Sequence, residues 1–418
     1  MNSTQSAMQE WRGFWFLPIA AGLGYATATM YVYSMGPFIA PIQAEFQWSR
    51  AQIASGITIA AFFSAIFGIP MGMLVDRIGP RIVGLIGAAL MCGCFALIGT
   101  ATGDKTNWIV LWGCLAVSTL WVQATVWTSA VNSRFHTSRG LALAITLSGA
   151  SFAAAVFPVI ATALIEKLGW RMAYMTMGGL WFILVFPILL FRFRGAQDVK
   201  RNTSPDEDHA PATPLTGVSL QQGLRSPALY KLIAAAGFFT FTAVGIVVHF
   251  VPILTDRGAD PLSAASVASL IGIFSIVGRL GTGFLLDRFP GHLVGAFAFL
   301  IPILACALLI YDGTNPVSQA IAAAIFGLTL GSEVDVIAYL AAKYFGLKHF
   351  GALYGAMVMA LSLGTAFGPL GAGAVFDAYQ SYEPFLILTA VLMGLSALAL
   401  LSLHSVPDVN QLELEHAS

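Results

Sequence analysis

Long apolar runs separated by short polar stretches recur twelve times along this chain. They cover approximately 14–40, 51–75, 82–101, 108–131, 140–165, 172–193, 229–254, 263–286, 293–312, 317–341, 350–376 and 383–405. A helix of roughly 20 apolar residues at ~1.5 Å per residue crosses the ~30 Å hydrocarbon core of a bilayer. The pattern therefore predicts an all-α membrane protein with twelve transmembrane helices. One long polar stretch lies between the sixth and seventh runs and contains QDVKRNTSPDEDHAPATP. Charged, proline-rich and poor in bulky apolar residues, it reads as a flexible linker. The expected division is a six-helix bundle over 1–194, a linker over 195–227 and a second six-helix bundle over 228–418.

The two halves resemble one another internally. Residues 50–84 lie on 261–295 at an offset of 211, with Asp76-Arg77 on Asp287-Arg288, Gly72 on Gly283 and Val83-Gly84 on Val294-Gly295. Similarity at half-length indicates two structural repeats of the same orientation. Gly68 falls on Arg279, so the second copy alone carries a cation inside its apolar run.

Composition agrees with a membrane protein. Of 418 residues, 57% are hydrophobic and 10% charged, whereas soluble domains carry about 25% charged residues. The net charge is zero, which gives no reason to expect a nucleic-acid partner. Cys92, Cys94, Cys114 and Cys306 sit within apolar runs without metal-ligand spacing and read as inert buried thiols. No metal, cofactor or cleavable signal peptide is expected. Lysine and arginine placement sets the orientation. With the N-terminus inside, fourteen cations fall on the cytoplasmic side and five outside, with Arg279 in the membrane. Both termini and the linker are then cytoplasmic, and the expected location is a bacterial cytoplasmic (inner) membrane.

Candidate chemistry follows from the polar groups within the spans. Arg279 lies about 6 Å from the middle of the eighth span at ~1.5 Å per residue. A cation there costs ~2.5–3.5 kcal/mol on insertion scales, so it faces a cavity or a partner. It reads as an anion-binding group on a transport path, or as a helix-pairing cation. Tyr33 in the first span can donate to an anion or anchor at the interface. Gln123 in the fourth can reach a substrate or bridge helices. His249, near the outer end of the seventh, reads as structural or gating. Glu333 and Asp335 in the tenth lie two residues apart, about 200° around a helix, and so do different jobs. Of the two, Glu333 lies at roughly the depth of Arg279. It is the first choice for proton coupling, with an ion pair to Arg279 as the reset state, and Asp335 is the second.

The motif after the second span, GMLVDRIGPR, has Gly72, Asp76, Arg77, Gly79 and Arg81 at the positions of G-x-x-x-D-R-x-G-x-[RK]. The second copy keeps Gly283, Asp287 and Arg288. With twelve helices, two repeats and a central linker, the chain resembles the major facilitator superfamily. That resemblance implies a tight glycine contact and a charged latch at the inner helix ends, made by these residues. A finer resemblance is to the monocarboxylate transporters and the oxalate/formate antiporters. It rests on the arginine eight residues before Asp287 and on NSRFHTSRG and GWRMAY around the fifth span. It implies that Arg279 binds the substrate carboxylate. The pattern departs from the family at Ser275, where the monocarboxylate transporters have an aspartate. It departs again at Tyr33, in place of their lysine, and at Met357, in place of the antiporters' lysine. A single cation implies a single carboxylate on the substrate.

The expected function is secondary active transport of a small organic anion by alternating access. A monocarboxylate in symport with a proton comes first, with an aromatic acid among the variants suggested by Tyr33, Trp121, Phe274 and Tyr354. Substrate-binding candidates are Arg279, Tyr33, Gln123, Ser275, Tyr354 and Met357. An anion exchanger and an efflux carrier for an amphipathic compound are the alternatives. No G-x-x-x-x-G-K-[ST] motif is present for nucleotide drive. No catalytic constellation points to an enzyme, and the carrier is expected to act as a monomer.

Overall fold

The computed structural model describes residues 3–196, 217–346 and 348–403. The middle of the expected linker, 197–216, lies outside the described residues, as does the side chain of Asp76. The described chain is helical, with no strand beyond a single bridge between Gly217 and Gly346. The helices are α1 (Ser3–Phe14), α2 (Phe16–Phe46), α3 (Arg50–Ile78), α4 (Pro80–Leu97), α5 (Lys105–Leu120), α6 (Ala124–Asn132) and α7 (Arg139–Arg192). They continue with α8 (Leu220–Arg225), α9 (Pro227–Thr255), α10 (Pro261–Leu286), α11 (Gly291–Asp312), α12 (Pro316–Phe345), α13 (Phe350–Tyr379) and α14 (Glu383–Leu401). Among the described residues, ten helical stretches are long and apolar enough to cross a membrane. The 54-residue α7 is two spans joined at Gly169, whose φ of 76° breaks the helix. The 31-residue α2 falls outside those ten, because tyrosines, threonines and glycines dilute its apolar run. Counting both, the described residues hold the twelve spans that the hydrophobic pattern predicts.

The 211-residue register persists far beyond the stretch that revealed it. Positive φ values occur at Gln47 and Gly258, and again at Gly169 and Gln380. Asp104 caps α5 and Asn315 caps α12, each accepting a backbone N–H with its side chain. Ser138 and His349 occupy the N-cap positions of α7 and α13. Each pair is separated by 211 residues, so the repeats keep one register through the turns that set helix direction.

The described helices form two compact units. One comprises 1–204 with 247–273, and the other 205–246 with 274–418. The end of α9 and the start of α10 thus pack with the helices of the first half. Small residues set the spacing, as expected where lipid supplies no hydrophobic drive for helix association. A Cβ on Gly36 would stand 2.7 Å from the Val248 carbonyl oxygen, and one on Gly272 2.1 Å from the Ala155 nitrogen. The buried Arg50 forms an ion pair with the exposed Asp256. Arg50 donates from both terminal nitrogens to Asp256, at 2.6 and 2.9 Å, and from Nε to Gln43 at 3.2 Å. At the Gly169 turn, Arg171 and Trp170 both donate to Glu45, at 2.7 and 2.6 Å, while Arg171 also reaches the Gly99 and Ala101 carbonyls.

The fourth span is broken. α5 ends at Leu120 and α6 starts at Ala124, and neither glycine nor proline lies between them. Trp127 Nε1 donates to the Val122 carbonyl at 2.8 Å and so satisfies an acceptor that the break releases. Irregular backbone at membrane depth requires such partners.

The amphipathic α1 precedes the first span and is pinned through Glu10. Its carboxylate accepts the backbone N–H groups of His136, Thr137 and Ser138 and the Ser138 hydroxyl, at 2.7–3.0 Å. These donors cluster at the start of α7, where an anion is favoured. The Thr137 N–H and its neighbours lower the Glu10 pKa from 4.5 to about 2. A carboxylate with a depressed folded-state pKa stabilises the docked state above its unfolded pKa and loses that effect as pH falls through the folded value. Docking of α1 is therefore expected to hold at neutral pH and to weaken from about pH 4.5 towards pH 2. Glu10→Gln should speed amide hydrogen exchange at 136–138 at neutral pH. Unchanged exchange at those three amides would show that Glu10 does not hold α1.

Candidate functional site

The second unit builds a polar site from a helix crossing. A Cβ on Gly278 of α10 would lie 2.1 Å from the Leu328 carbonyl oxygen of α12. A Cβ on Gly331 of α12 would lie 2.0 Å from the Ser275 oxygen and 2.8 Å from the Arg279 nitrogen. With no side chain at either point, the two backbones touch. Just beyond the contact, Thr282 Oγ1 donates to Ser332 Oγ at 2.6 Å.

This crossing decides which carboxylate meets the arginine. Arg279 follows Gly278 directly, and Asp335 lies one turn beyond Gly331 on the same face of α12. Arg279 donates to Asp335 Oδ1 at 3.2 Å. Side-chain exposure is 13% for Arg279 and 30% for Asp335. Glu333 points elsewhere. It is fully buried and hydrogen-bonded to Thr240 of α9, whose hydroxyl also contacts the Ala236 carbonyl at 2.9 Å. The ion pair expected between Glu333 and Arg279 is thus formed by Asp335 instead. Depth along the helix favoured Glu333, but its direction around the helix, about 200° from Asp335, sends it to α9. The Nε of Arg279 is buried and makes no hydrogen bond among the described residues.

The remaining candidates lie at different places in the two units. Ser275 is buried, with its carbonyl against Gly331. Met357 is fully buried in the apolar core of the second unit, and Tyr354 packs against that core and stacks on Phe350 at 5.1 Å. Met357 therefore contributes packing in this conformation, because neighbours cover it on all sides. In the first unit Tyr33 is half-buried on α2 and Gln123 stands at the N-cap of α6. A Cβ on Gly68 would meet Gln123 at 3.6 Å. The 211-residue offset that lays Gly68 on Arg279 lays Gln123 on Val334, between the two carboxylates. The first unit thus has a neutral counterpart of the charged crossing, and it coincides with the break in the fourth span. His249 is fully buried.

The motif residues are less engaged than the motif suggests. A Cβ at Gly72 or Gly283 would meet nothing within 4 Å, so the tight glycine contact expected there is not made in this conformation. Arg77, Asp287 and Arg288 are exposed, with Arg288 lying over the Phe284 ring. Arg81 donates to the Leu190 carbonyl at 2.8 Å and ties α4 to the end of α7. Sequence reasoning missed Thr240, the Arg50–Asp256 pair and the broken span. Gly278 beside Arg279, and Gly331 one turn before Asp335, were the available signals for the charged crossing.

Two repeats of membrane-spanning helices, with a charged pair set into one of them, define a multi-pass membrane protein, and its family match makes it a transporter rather than an enzyme. The family model of the Major Facilitator Superfamily matches residues 21–333, and the chain belongs to that superfamily. Among curated relatives, Monocarboxylate transporter 13 of Rattus norvegicus is 26% identical over 393 residues, covering 91% of this chain and 86% of its own. The uncharacterized MFS-type transporter YhjX of Escherichia coli is 23% identical and covers 82% and 83%. Among solved structures, a bacterial homolog of the human lysosomal transporter Spinster, in an inward-facing and unoccupied conformation, matches with a TM-score of 0.71. It is 16% identical and covers 92% of this chain and 96% of that one.

Proposed function

We propose that this transporter carries a small monocarboxylate in symport with a proton, and that Arg279 and Asp335 perform the coupling. The observation that carries the proposal is the Arg279–Asp335 pair at the α10–α12 crossing. A carboxylate already sits on the guanidinium, so a substrate carboxylate competes for the same donors. Arginine keeps its proton in proteins, so Asp335 is the partner that can change charge. A proton on Asp335 removes the attraction and leaves Arg279 facing the incoming anion. Substrate and proton then bind together. When both leave, Asp335 returns to Arg279, and the closed pair lets the empty carrier reset. The similarity to Monocarboxylate transporter 13 supports the substrate class.

In this reading the bundles 1–194 and 228–418 alternate about the site. Ser275, one turn before Arg279 on α10, lines it, and the two motif copies around Asp76 and Asp287 act as latches. Both termini face the cytoplasm of a bacterial inner membrane, and the carrier works as a monomer. Anion exchange is the competing reading, since one anion can displace another from Arg279 without a proton.

The test is Asp335→Asn, which mimics the protonated aspartate, in sealed vesicles with and without a pH gradient. Counterflow of labelled monocarboxylate should persist while pH-driven accumulation disappears. Glu333→Gln should retain accumulation, because Glu333 faces Thr240. Retained accumulation in Asp335→Asn sinks the coupling role. Accumulation absent from the unmodified protein as well would establish exchange.

A further inference from the structure

A second binding feature lies on the second unit, away from the charged crossing. α9, α13 and α14 leave a groove of about 530 Å³ between them, within the roughly 300–1,000 Å³ typical of small-ligand sites. It is lined by Gly237, Phe241, Leu363, Gly364 and Leu388, with Tyr230 at the end nearer the linker. From Tyr230 to Phe241 the groove runs about 16 Å along α9 at ~1.5 Å per residue. One leaflet of a ~30 Å hydrocarbon core is ~15 Å deep. The groove thus starts where an amphipathic tyrosine marks the membrane interface and stops at mid-membrane. Lys231, next to Tyr230, donates to the Ser402 carbonyl at 2.6 Å and places a cation at that same end.

We propose that this groove binds one acyl chain of an anionic phospholipid from the linker-side leaflet, with the headgroup at Lys231. Length, apolar lining and the position of Lys231 fit that occupant together. The groove lies beside the α9–α13 contact, where a Cβ on Gly364 would stand 2.8 Å from the Thr240 Cβ. The inference does not depend on the carboxylate reading.

The full chain, reconstituted in nanodiscs of phosphatidylethanolamine and phosphatidylglycerol, provides the test. The phosphatidylglycerol carries a diazirine midway along one acyl chain, and adducts are mapped by mass spectrometry after photolysis. Adducts should concentrate on 233–241 and on Leu363, several-fold above Ile183 and Leu184 of α7, which are more exposed at 69% and 58%. Gly237→Phe should fill the groove and lower labelling at Leu363 several-fold. A Cβ there meets only Ala360, at 3.6 Å. Leu363→Trp is the second variant, read at 233–241, should Gly237→Phe fail to fold. Labelling spread evenly over the lipid-facing surface, annular contact only, would overturn the proposal. So would labelling at the groove that neither filling variant reduces, or crosslinks to a second copy of the chain in its place.

Discussion

Arg279→Ala is expected to weaken substrate binding at least about 30-fold. Removing one partner of a desolvated charge pair costs ~2 kcal/mol or more, and ~1.4 kcal/mol is a factor of ten in affinity. Arg279→Lys keeps the charge and is expected to lose about tenfold, because a compact ammonium replaces a planar fork of donors. The structure sharpens the reason. Arg279 enters from a helix held against α12 by Gly278 and Gly331, and its NH1 already sits 3.2 Å from a carboxylate oxygen. A shorter, differently aimed cation cannot take a second oxygen at the same place. Isothermal calorimetry of the purified variants, with circular dichroism to verify the helices, checks both figures. Wild-type affinity in a folded Arg279→Ala would remove Arg279 from the site.

Gly331→Val is expected to abolish transport and to lower thermal stability markedly. Overpacking a filled interior costs about 1–3 kcal/mol where side chains can yield. Here the added Cβ would meet a backbone oxygen at 2.0 Å and a backbone nitrogen at 2.8 Å, and neither can rotate aside. The helices must separate, and the Arg279–Asp335 pair separates with them. Gly283→Ala provides the contrast, since nothing lies within 4 Å of its Cβ position; its stability should match the wild type. Thermal unfolding in detergent measures both variants. Equal melting temperatures for Gly331→Val and Gly283→Ala would mean that the α10–α12 contact does not fix the site.

The sequence carried the spans, the repeat and the one cation in the middle of a helix because each is a local property. Hydrophobic runs of spanning length report themselves, and Arg279 stands out because no neighbour in its run is charged. The partner of Arg279 was not legible. It depends on where two helices touch, and the contact is made by two glycines whose significance lies in what faces them. Once Gly331 is known to meet α10, Asp335 one turn later is the only carboxylate on that face, while Glu333 has turned to Thr240. Depth along the helix pointed to Glu333; direction around it selects Asp335. The break at Trp121–Gln123 was hidden for a similar reason. No proline or glycine marks it, and the indole of Trp127, which takes up the Val122 carbonyl, comes from the following helix. Gly72 and Gly283 fit a motif, yet here they touch nothing within 4 Å.

The make-up of the first compact unit bears on how the protein is assembled. That unit includes 247–273 as well as the N-terminal helices. Chains commonly fold from the N-terminus as they emerge from the ribosome. Here the first six spans can be in the membrane while Arg50 still lacks Asp256, and while Gly36 and Ala155 still lack the α9 and α10 segments that pack on them. Biogenesis is therefore interleaved: the N-terminal unit waits for segments of two spans of the second repeat, and an isolated N-terminal half would lack the carboxylate that Arg50 pairs with.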